Sequence, residues 1–367
     1  MKKYIFLFTF ILFTITGCSN YISENFNYET KEKAPSEYGY GFSKIKNYSD
    51  LTSKMTKSKM IYEIDGTIDL QNNPLIIPSN SILRFTKGSK IINGSITFSE
   101  TFLDGFPEFK NITFSTSGKI TNLKPYLSWF GLSTDAETEK NNNKNADLLM
   151  SIFKIINGTL YIDGYYPVGK KVTISTSIAL IGADWKESYF SQDYNTTYTP
   201  ANGFYTVTRT TLFDLNEYNS EGKCIAAGGL SLAGIRLYGF PEDYTKQYYY
   251  ADQGEFVRFY TSDITYKTIG IMFASLEYTG SLGYVYNCEI EGFSFGIRGI
   301  GGFLEKIQNT TFINNRFGIF TVWTSDFDIY ACKFINHAPN VKLAPFADAT
   351  EDMNHLRHTG AGIFLEG

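Results

Sequence analysis

From Ile61 onward, short apolar runs alternate with Gly, Asn, Pro and Ser. Ile64-Asp65-Gly66-Thr67-Ile68-Asp69-Leu70, Ile82-Leu83-Arg84-Phe85, Lys90-Ile91-Ile92 and Ser95-Ile96-Thr97-Phe98 place hydrophobic side chains at or near alternate positions. A period of two puts those side chains on one face of a strand, and the intervening turns are too short to hold a helix. These runs read as early coils of a repeat structure, or as a β cap on one.

Between Gly270 and Gly367 a second period overlies the first. Gly296-Ile297, Gly318-Ile319, Asn340-Val341 and Gly362-Ile363 recur at intervals of 22, and Gly270-Ile271 precedes them by 26. Superposed at 22, the copies give columns of constant character: Cys288, Thr310, Cys332 and Asn354; Ile290, Phe312, Phe334 and Leu356; Val285, Ile307 and Ile329. The Ile290 column points inward and its neighbours point out. A unit of this size cannot bury its own inner face, so it must stack on copies of itself. The pattern predicts an all-β parallel β-helix with one coil per repeat and coils about 4.8 Å apart. The recurrent Gly suits a sharp corner, and Asn314 above Asn336 predicts an amide ladder at the next one.

The region before the repeats contains Trp129-Phe130-Gly131, a polar loop, the helical run Ala146 to Phe153, then Gly158-Thr159-Leu160-Tyr161-Ile162-Asp163-Gly164-Tyr165-Tyr166 and Ile178-Ala179-Leu180-Ile181-Gly182. This order resembles the opening of the pectate lyase superfamily, in which a helix caps the β-helix and the next strand ends in a Pro-x-Gly-x-Tyr turn. Here the turn reads Asp163-Gly164-Tyr165-Tyr166 without the Pro, and the acidic signature before the helix is reduced to Ser133-Thr134-Asp135 and Asn145-Ala146-Asp147. The resemblance covers about Leu75 to Gly367 and implies a right-handed, single-stranded β-helix with a short capping helix. Because that superfamily contains lyases, hydrolases, tailspikes and inert surface proteins, it supports fold more than function. It makes polysaccharide the leading ligand class.

Met1 to Cys18 has a charged start at Lys2 and Lys3, an apolar run from Tyr4 to Thr16 too short for a comfortable membrane span, and the ending Ile15-Thr16-Gly17-Cys18. This resembles a bacterial lipobox and implies Cys18 as the lipid-bearing mature N-terminus. Ser19 in place of Asp implies, by analogy with enterobacterial sorting, the outer membrane, with the side it faces left open. The predicted organisation is a signal peptide (1–17), a tether (18–58), an N-terminal β region (59–128) and the β-helix (129–367). Gly362 to Gly367 opens a coil and stops, so the expectation is a longer chain, or an open end covered by a partner or by self-association.

Charge and composition narrow the partners. A net charge of −4, with 33 basic residues spread thinly, leaves no footprint for nucleic acid. The 27 Tyr and 31 Phe suit coil packing and sugar binding alike. Cys224, Cys288 and Cys332 have no metal-ligand spacing, and the last two sit two coils apart, beyond disulfide reach. No phosphate loop, dinucleotide fingerprint or hydrolase elbow is present, and no cofactor is implied; calcium could bind acidic groups, but no ligand motif marks a site.

The outward columns beside Ile290 hold Glu289, Thr311, Lys333 and His355 in one, and Glu291, Ile313, Ile335 and Arg357 in the other. A β-eliminating lyase needs a base and a cation beside a uronate carboxylate, which Lys333, His355 and Arg357 could supply, with Glu289 on the same surface. The bland alternative is a solvated charge ladder. For a hydrolase, Asp326 and Asp328 are the candidate carboxylates, two apart on one strand. The insertions Asp184 to Asn219 and Phe240 to Asp263, the second with Tyr248, Tyr249 and Tyr250, are candidate binding loops. Two functions therefore stand together: a membrane-anchored polysaccharide lyase or glycoside hydrolase, and a non-catalytic β-helix lipoprotein that binds glycans. Cys18→Ala should move the protein out of the membrane fraction on cell fractionation; unchanged partitioning would exclude Cys18 as the anchor.

Overall fold

The structure, a computed structural model, describes residues 39–134, 139–192, 196–199, 204–207, 211–221, 223–239, 248–250, 255–256, 269–273, 281–293, 295–300, 303–315, 317–322, 328–335 and 361–366. It is a parallel β-solenoid of about ten coils, some 22 residues apart. The larger part is built on three six-stranded parallel sheets. Face A runs through Thr159–Ile162, Ile178–Gly182, Gly229–Ala233, Ser281–Tyr286, Phe303–Gln308 and Asp328–Tyr330. Face B runs through Tyr165–Val168, Tyr189–Gln192, Arg236–Tyr238, Glu289–Glu291, Thr311–Ile313 and Lys333–Ile335. Face C runs through Val172–Thr173, Thr211–Asp214, Ile269–Phe273, Phe295–Ile300, Phe317–Val322 and Ala361–Glu366. Each coil visits A, B and C in turn.

The strands between 60 and 114 are coils of the same stack. Gly41–Ile45, Met60–Ile64, Ile82–Phe85 and Phe102–Gly105 pair in parallel, and Lys90–Thr97 pairs with Thr67–Asp69, Pro74–Ile76 and Phe109–Phe114. One contiguous apolar core runs from Ile45 through Phe109 and Leu180 to Ile319, so no boundary near 128 divides the interior. The stack also starts earlier than the expected tether end at 58. Gly41–Ile45 buries Ile45, and helix α1 (Tyr48–Lys54) buries Leu51, with Asn47 Oδ1 accepting from Asp50 N at 2.9 Å as its N-cap. The polar composition of 41–58 concealed these few anchors.

Helix α2 (Glu139–Ile155) lies where the three-face stack begins. Ala146, Leu149, Ile152, Phe153 and Ile156 recur at three- and four-residue steps and are buried. The helix packs between Phe109–Phe114 on one side and Tyr165–Val168 and Val172–Thr173 on the other. Within it Asn145 is 1% exposed, its amide donating to Ser133 O and Pro167 O (both 2.8 Å) and accepting from Ser133 N (2.9 Å). The degraded turn is also held: Asp163 accepts from Ser128 N (3.0 Å), Ser128 Oγ and Tyr166 Oη (3.1 Å).

Register follows the sequence columns through most of the stack. Ile290, Phe312 and Phe334 are successive partners, as are Glu289, Thr311 and Lys333, and Ile271, Ile297 and Ile319. The Phe312 and Phe334 rings stack at 4.9 Å and 4°. The final interval differs. Ile319 pairs directly with Ile363, 44 residues on, with no described strand of face C between them, and the Asn340-Val341 phrase lies outside the described residues. His355, expected above Lys333 in the next coil, lies outside the described residues.

The repeated Gly is required by approach between coils. A Cβ on Gly270, Gly296 or Gly318 would lie 2.5, 2.7 or 2.6 Å from the carbonyl oxygen of the Gly in the next coil. The corners with positive φ lie elsewhere, at Asn287, Asn309 and Ala331 and at Gly292 and Asn314. The amide ladder forms at the first of these: Asn309 Nδ2 donates to Asn287 Oδ1 at 3.2 Å. Asn336, expected to extend a ladder from Asn314, lies outside the described residues. Phe312→Ala should destabilise by about 3–5 kcal/mol and Gly318→Ala by about 1–3 kcal/mol, with Phe334→Ala costing less than Phe312→Ala because Phe334 is only partly buried. Denaturant midpoints test this order; equal losses at Phe312 and Phe334 would refute the burial gradient.

Candidate functional site

Face B carries the densest polar and aromatic surface among the described residues. Parallel pairing brings Tyr165, Tyr189, Arg236, Glu289, Thr311 and Lys333 into one outward column, with Ser191, Tyr238, Glu291 and Ile313 in the column beside it. Tyr166, Phe190, Leu237, Ile290 and Phe312, between the two, are buried and fix the outward side chains against the core. Tyr165 and Tyr189 stack at 4.5 Å, and Tyr165 Oη shares a 2.8 Å hydrogen bond with Ser191 Oγ. The Arg236 guanidinium lies 5.0 Å from the Tyr238 ring and 6.0 Å from the Tyr189 ring.

Arg236 also joins two carboxylates. Its Nε lies 2.8 Å from Glu289 Oε1 without the alignment of a hydrogen bond, and its Nη2 donates to Glu291 Oε2. Asn314 Nδ2 donates to Glu291 Oε1 at 3.4 Å. Although it points away from the core, Glu289 is only 8% exposed. Burial pushes its carboxyl above the ordinary glutamate range and nearby Glu291 adds to this, while Arg236 opposes both. The cluster thus offers stacked rings, hydrogen-bonding edges and one carboxyl that holds its proton more readily than a free glutamate.

The predicted residues do not form one site. Glu289 and Lys333 share a column on face B, two coils apart, with Lys333 exposed. Asp328 is on face A, exposed and 3.5 Å from Lys306 Nζ, so it faces away from Glu289 and Lys333. His355, Arg357, Asp326 and Cys18 lie outside the described residues. Tyr248–Tyr250 forms a strand between Phe204–Val207 and Glu255–Phe256 in a small sheet completed by Thr196–Thr199. The expected insertion at Asp184 to Asn219 is narrower than predicted, because Tyr189–Gln192 and Thr211–Asp214 are coil strands; 193–210 alone separates them. In the chain, 193–210, 239–268 and 336–360 each separate a face B strand from the next face C strand.

Cys288, at 3% exposure, has its thiol pushed up to about 12 by burial, and the Cys332 thiol is also raised by burial. Cys224, Cys288 and Cys332 are free thiols. Among the described residues no three His, Cys, Asp or Glu side chains gather as metal ligands, and no helix is long and apolar enough to cross a membrane.

No protein-family model matches this chain, and no curated protein sequence matches it. Sequence reasoning missed Arg236, Tyr165, Tyr189 and Tyr238 because insertions break the interval before the regular repeats. Arg236 precedes its partner Glu289 by 53 residues. The usable signal was the phrase Ile235-Arg236-Leu237-Tyr238, which matches Cys288-Glu289-Ile290-Glu291 in its alternation of inward and outward positions. Because Glu289 keeps its proton to higher pH when folded than when unfolded, folding takes up protons above the ordinary value of 4.5, and stability falls as pH rises through that window. Melting temperatures across pH should show this loss in the wild type and its absence in Glu289→Gln; parallel profiles would refute it.

Proposed function

We propose that this protein is a lipid-anchored β-helix, of the pectate lyase superfamily type, that engages a polysaccharide along face B. The observation that carries the reading is the continuous column from the Tyr165–Tyr189 stack through Arg236 to Glu289, Thr311 and Lys333. Flat aromatic faces receive the apolar side of sugar rings, while Arg, Glu and Asn edges take their hydroxyls and carboxylates. Coils about 4.8 Å apart present such groups at a repeat comparable with one sugar unit. The lipid on Cys18 holds the body at the outer membrane, where long polymers are met.

Cleavage is the second reading, and Glu289 favours it. A carboxyl with its pKa raised by burial has the character of a general acid. In the lyase form, Lys333, His355 and Arg357 supply base and cation; in the hydrolase form Glu289 protonates the leaving oxygen, and Asp328 is exposed on another face. The binding reading needs neither.

Binding of acidic and neutral oligosaccharides by calorimetry tests the proposal. Tyr189→Ala and Arg236→Ala should each weaken binding at least about tenfold, the scale of one lost stacking or charge-assisted contact. Lys306→Ala, on face A, should leave it unchanged. Equal affinity in all the variants would remove face B as the site. Release of unsaturated or reducing ends by the wild type, abolished in Glu289→Gln, would establish cleavage; its absence with binding intact would leave the binding function alone.

A further inference from the structure

The chain carries a net charge of −4 with its basic residues spread thinly, and one end of the stack departs from this. Between Gly41 and Met60 stand Lys44, Lys46, Lys54, Lys57 and Lys59 against a single acid, Asp50. This segment is the terminal coil among the described residues. Gly41–Ile45 pairs on one side only, with Met60–Ile64, and helix α1 with the residue after it buries Leu51 and Met55 in the core that begins at Ile45. All five lysines are exposed.

Part of that charge is already answered. Lys44 Nζ meets Glu63 Oε1 at 3.3 Å and Asp65 Oδ2 at 2.8 Å, and Lys54 Nζ meets Asp50 Oδ1 at 2.6 Å. Lys46, Lys57 and Lys59 have no carboxylate partner among the described residues. Their backbones make the structural contacts: Lys46 N donates to Asp50 Oδ2 at 3.0 Å, Tyr62 Oη donates to Lys57 O at 2.6 Å, and Gly41 N donates to Lys59 O at 3.2 Å. The three ammonium groups are left to solvent, where they attract an anionic surface within a Debye length.

An exposed ring stands beside them. Phe42, Ile61, Ile82 and Phe102 are successive partners across four strands. The last three are buried in a cluster outside the main core, with Tyr40 packed against it, whereas Phe42 on the terminal coil is 57% exposed. An aromatic side chain among lysines suits the boundary between lipid headgroups and acyl chains.

We propose that this end of the stack docks on a bilayer bearing anionic phospholipid headgroups. Lys46, Lys57 and Lys59 meet the phosphates and Phe42 enters the boundary beneath them, so the coils rise from the membrane and face B is left free. A second copy fits this end poorly, because the same lysines would oppose one another across a two-fold axis. Cys18, given the lipid above, lies upstream of this end in the chain. The charge contact does not rest on that lipid.

Partitioning of the full chain carrying Cys18→Ala tests it, on vesicles of phosphatidylcholine alone and of equimolar phosphatidylcholine and phosphatidylglycerol. The ratio of the two affinities cancels the apolar run Tyr4 to Thr16, which every sample shares. That ratio should favour the anionic vesicles and collapse in high salt. It should fall about a hundredfold when Lys46, Lys57 and Lys59 are all changed to Gln, a factor of about five per lysine. The same change at Lys186, Lys223 and Lys306 should leave it unaltered. Phe42→Ala should weaken binding to the anionic vesicles about tenfold and keep the salt dependence. Lysine acetylation read by mass spectrometry should show Lys46, Lys57 and Lys59 shielded on anionic vesicles and Lys306 open. Equal affinities for the two vesicles, equal losses in the two triple variants, or shielding spread evenly over all lysines would overturn the docking. Tighter binding of the same lysines to duplex DNA than to vesicles would also overturn it. Because no sample carries lipid on Cys18 or any polysaccharide, failure here is separate from failure of the anchor or of face B.

Discussion

Parallel strand pairing between successive coils sets every residue on a face about 4.8 Å from its counterpart in the next coil, and the composition of each column must tolerate that distance. Phe312 and Phe334 meet it by stacking nearly parallel, and Asn287 and Asn309 by passing a side-chain hydrogen bond along the corner. Gly296 and Gly318 meet it by having no side chain, since the next carbonyl occupies the space a Cβ would need. The 22-residue period is the trace of this constraint in the chain. Buried amides reinforce it: Asn315 Nδ2 donates to Ile290 O at 2.8 Å and its Oδ1 accepts from Phe293 N at 2.9 Å, tying one coil to the next.

The same spacing makes charge a property of columns. Arg236 lies between Tyr189 and Glu289 because the register places it there, and it reaches Glu291 because residues two apart on a strand point the same way. On face B this yields a partly exposed cation held by two carboxylates and flanked by rings. On face C, where the column runs Asp214, Met272, Arg298, Lys171 takes the carboxylate and the guanidinium is left facing a sulfur. The two arginines occupy comparable places in their ladders yet differ in pairing: Arg236 meets two carboxylates, and among the described residues Arg298 hydrogen-bonds only the Met272 sulfur.

Breaks in the period carry the individuality of the protein. The regular coils around Glu289–Glu291 and Thr311–Ile313 turn from face B to face C within a few residues, whereas Tyr189–Gln192, Arg236–Tyr238 and Lys333–Ile335 are followed by long sequence detours before the next strand of face C. Two of those detours join in one small sheet through Phe204–Val207 and Tyr248–Tyr250. A solenoid tolerates such additions because closing a longer surface loop adds little entropy cost while the coils beneath stay paired.

The fold class was legible in the chain itself, because strand alternation and coil stacking are local and periodic: Ile290, Phe312 and Phe334, or Gly296 and Gly318, show their common environment by position alone. What tertiary structure decided were pairings across interrupted intervals. Arg236 meets Glu289 across 53 residues, and Ile319 meets Ile363 across 44. A count of residues cannot tell a coil from a detour, since both are polar segments bounded by Gly and Asn. Burial was likewise invisible. Glu289 and Arg298 stand at outward positions, where a sequence pattern assigns solvent, and only their neighbours in space withdraw water from them and shift their protonation.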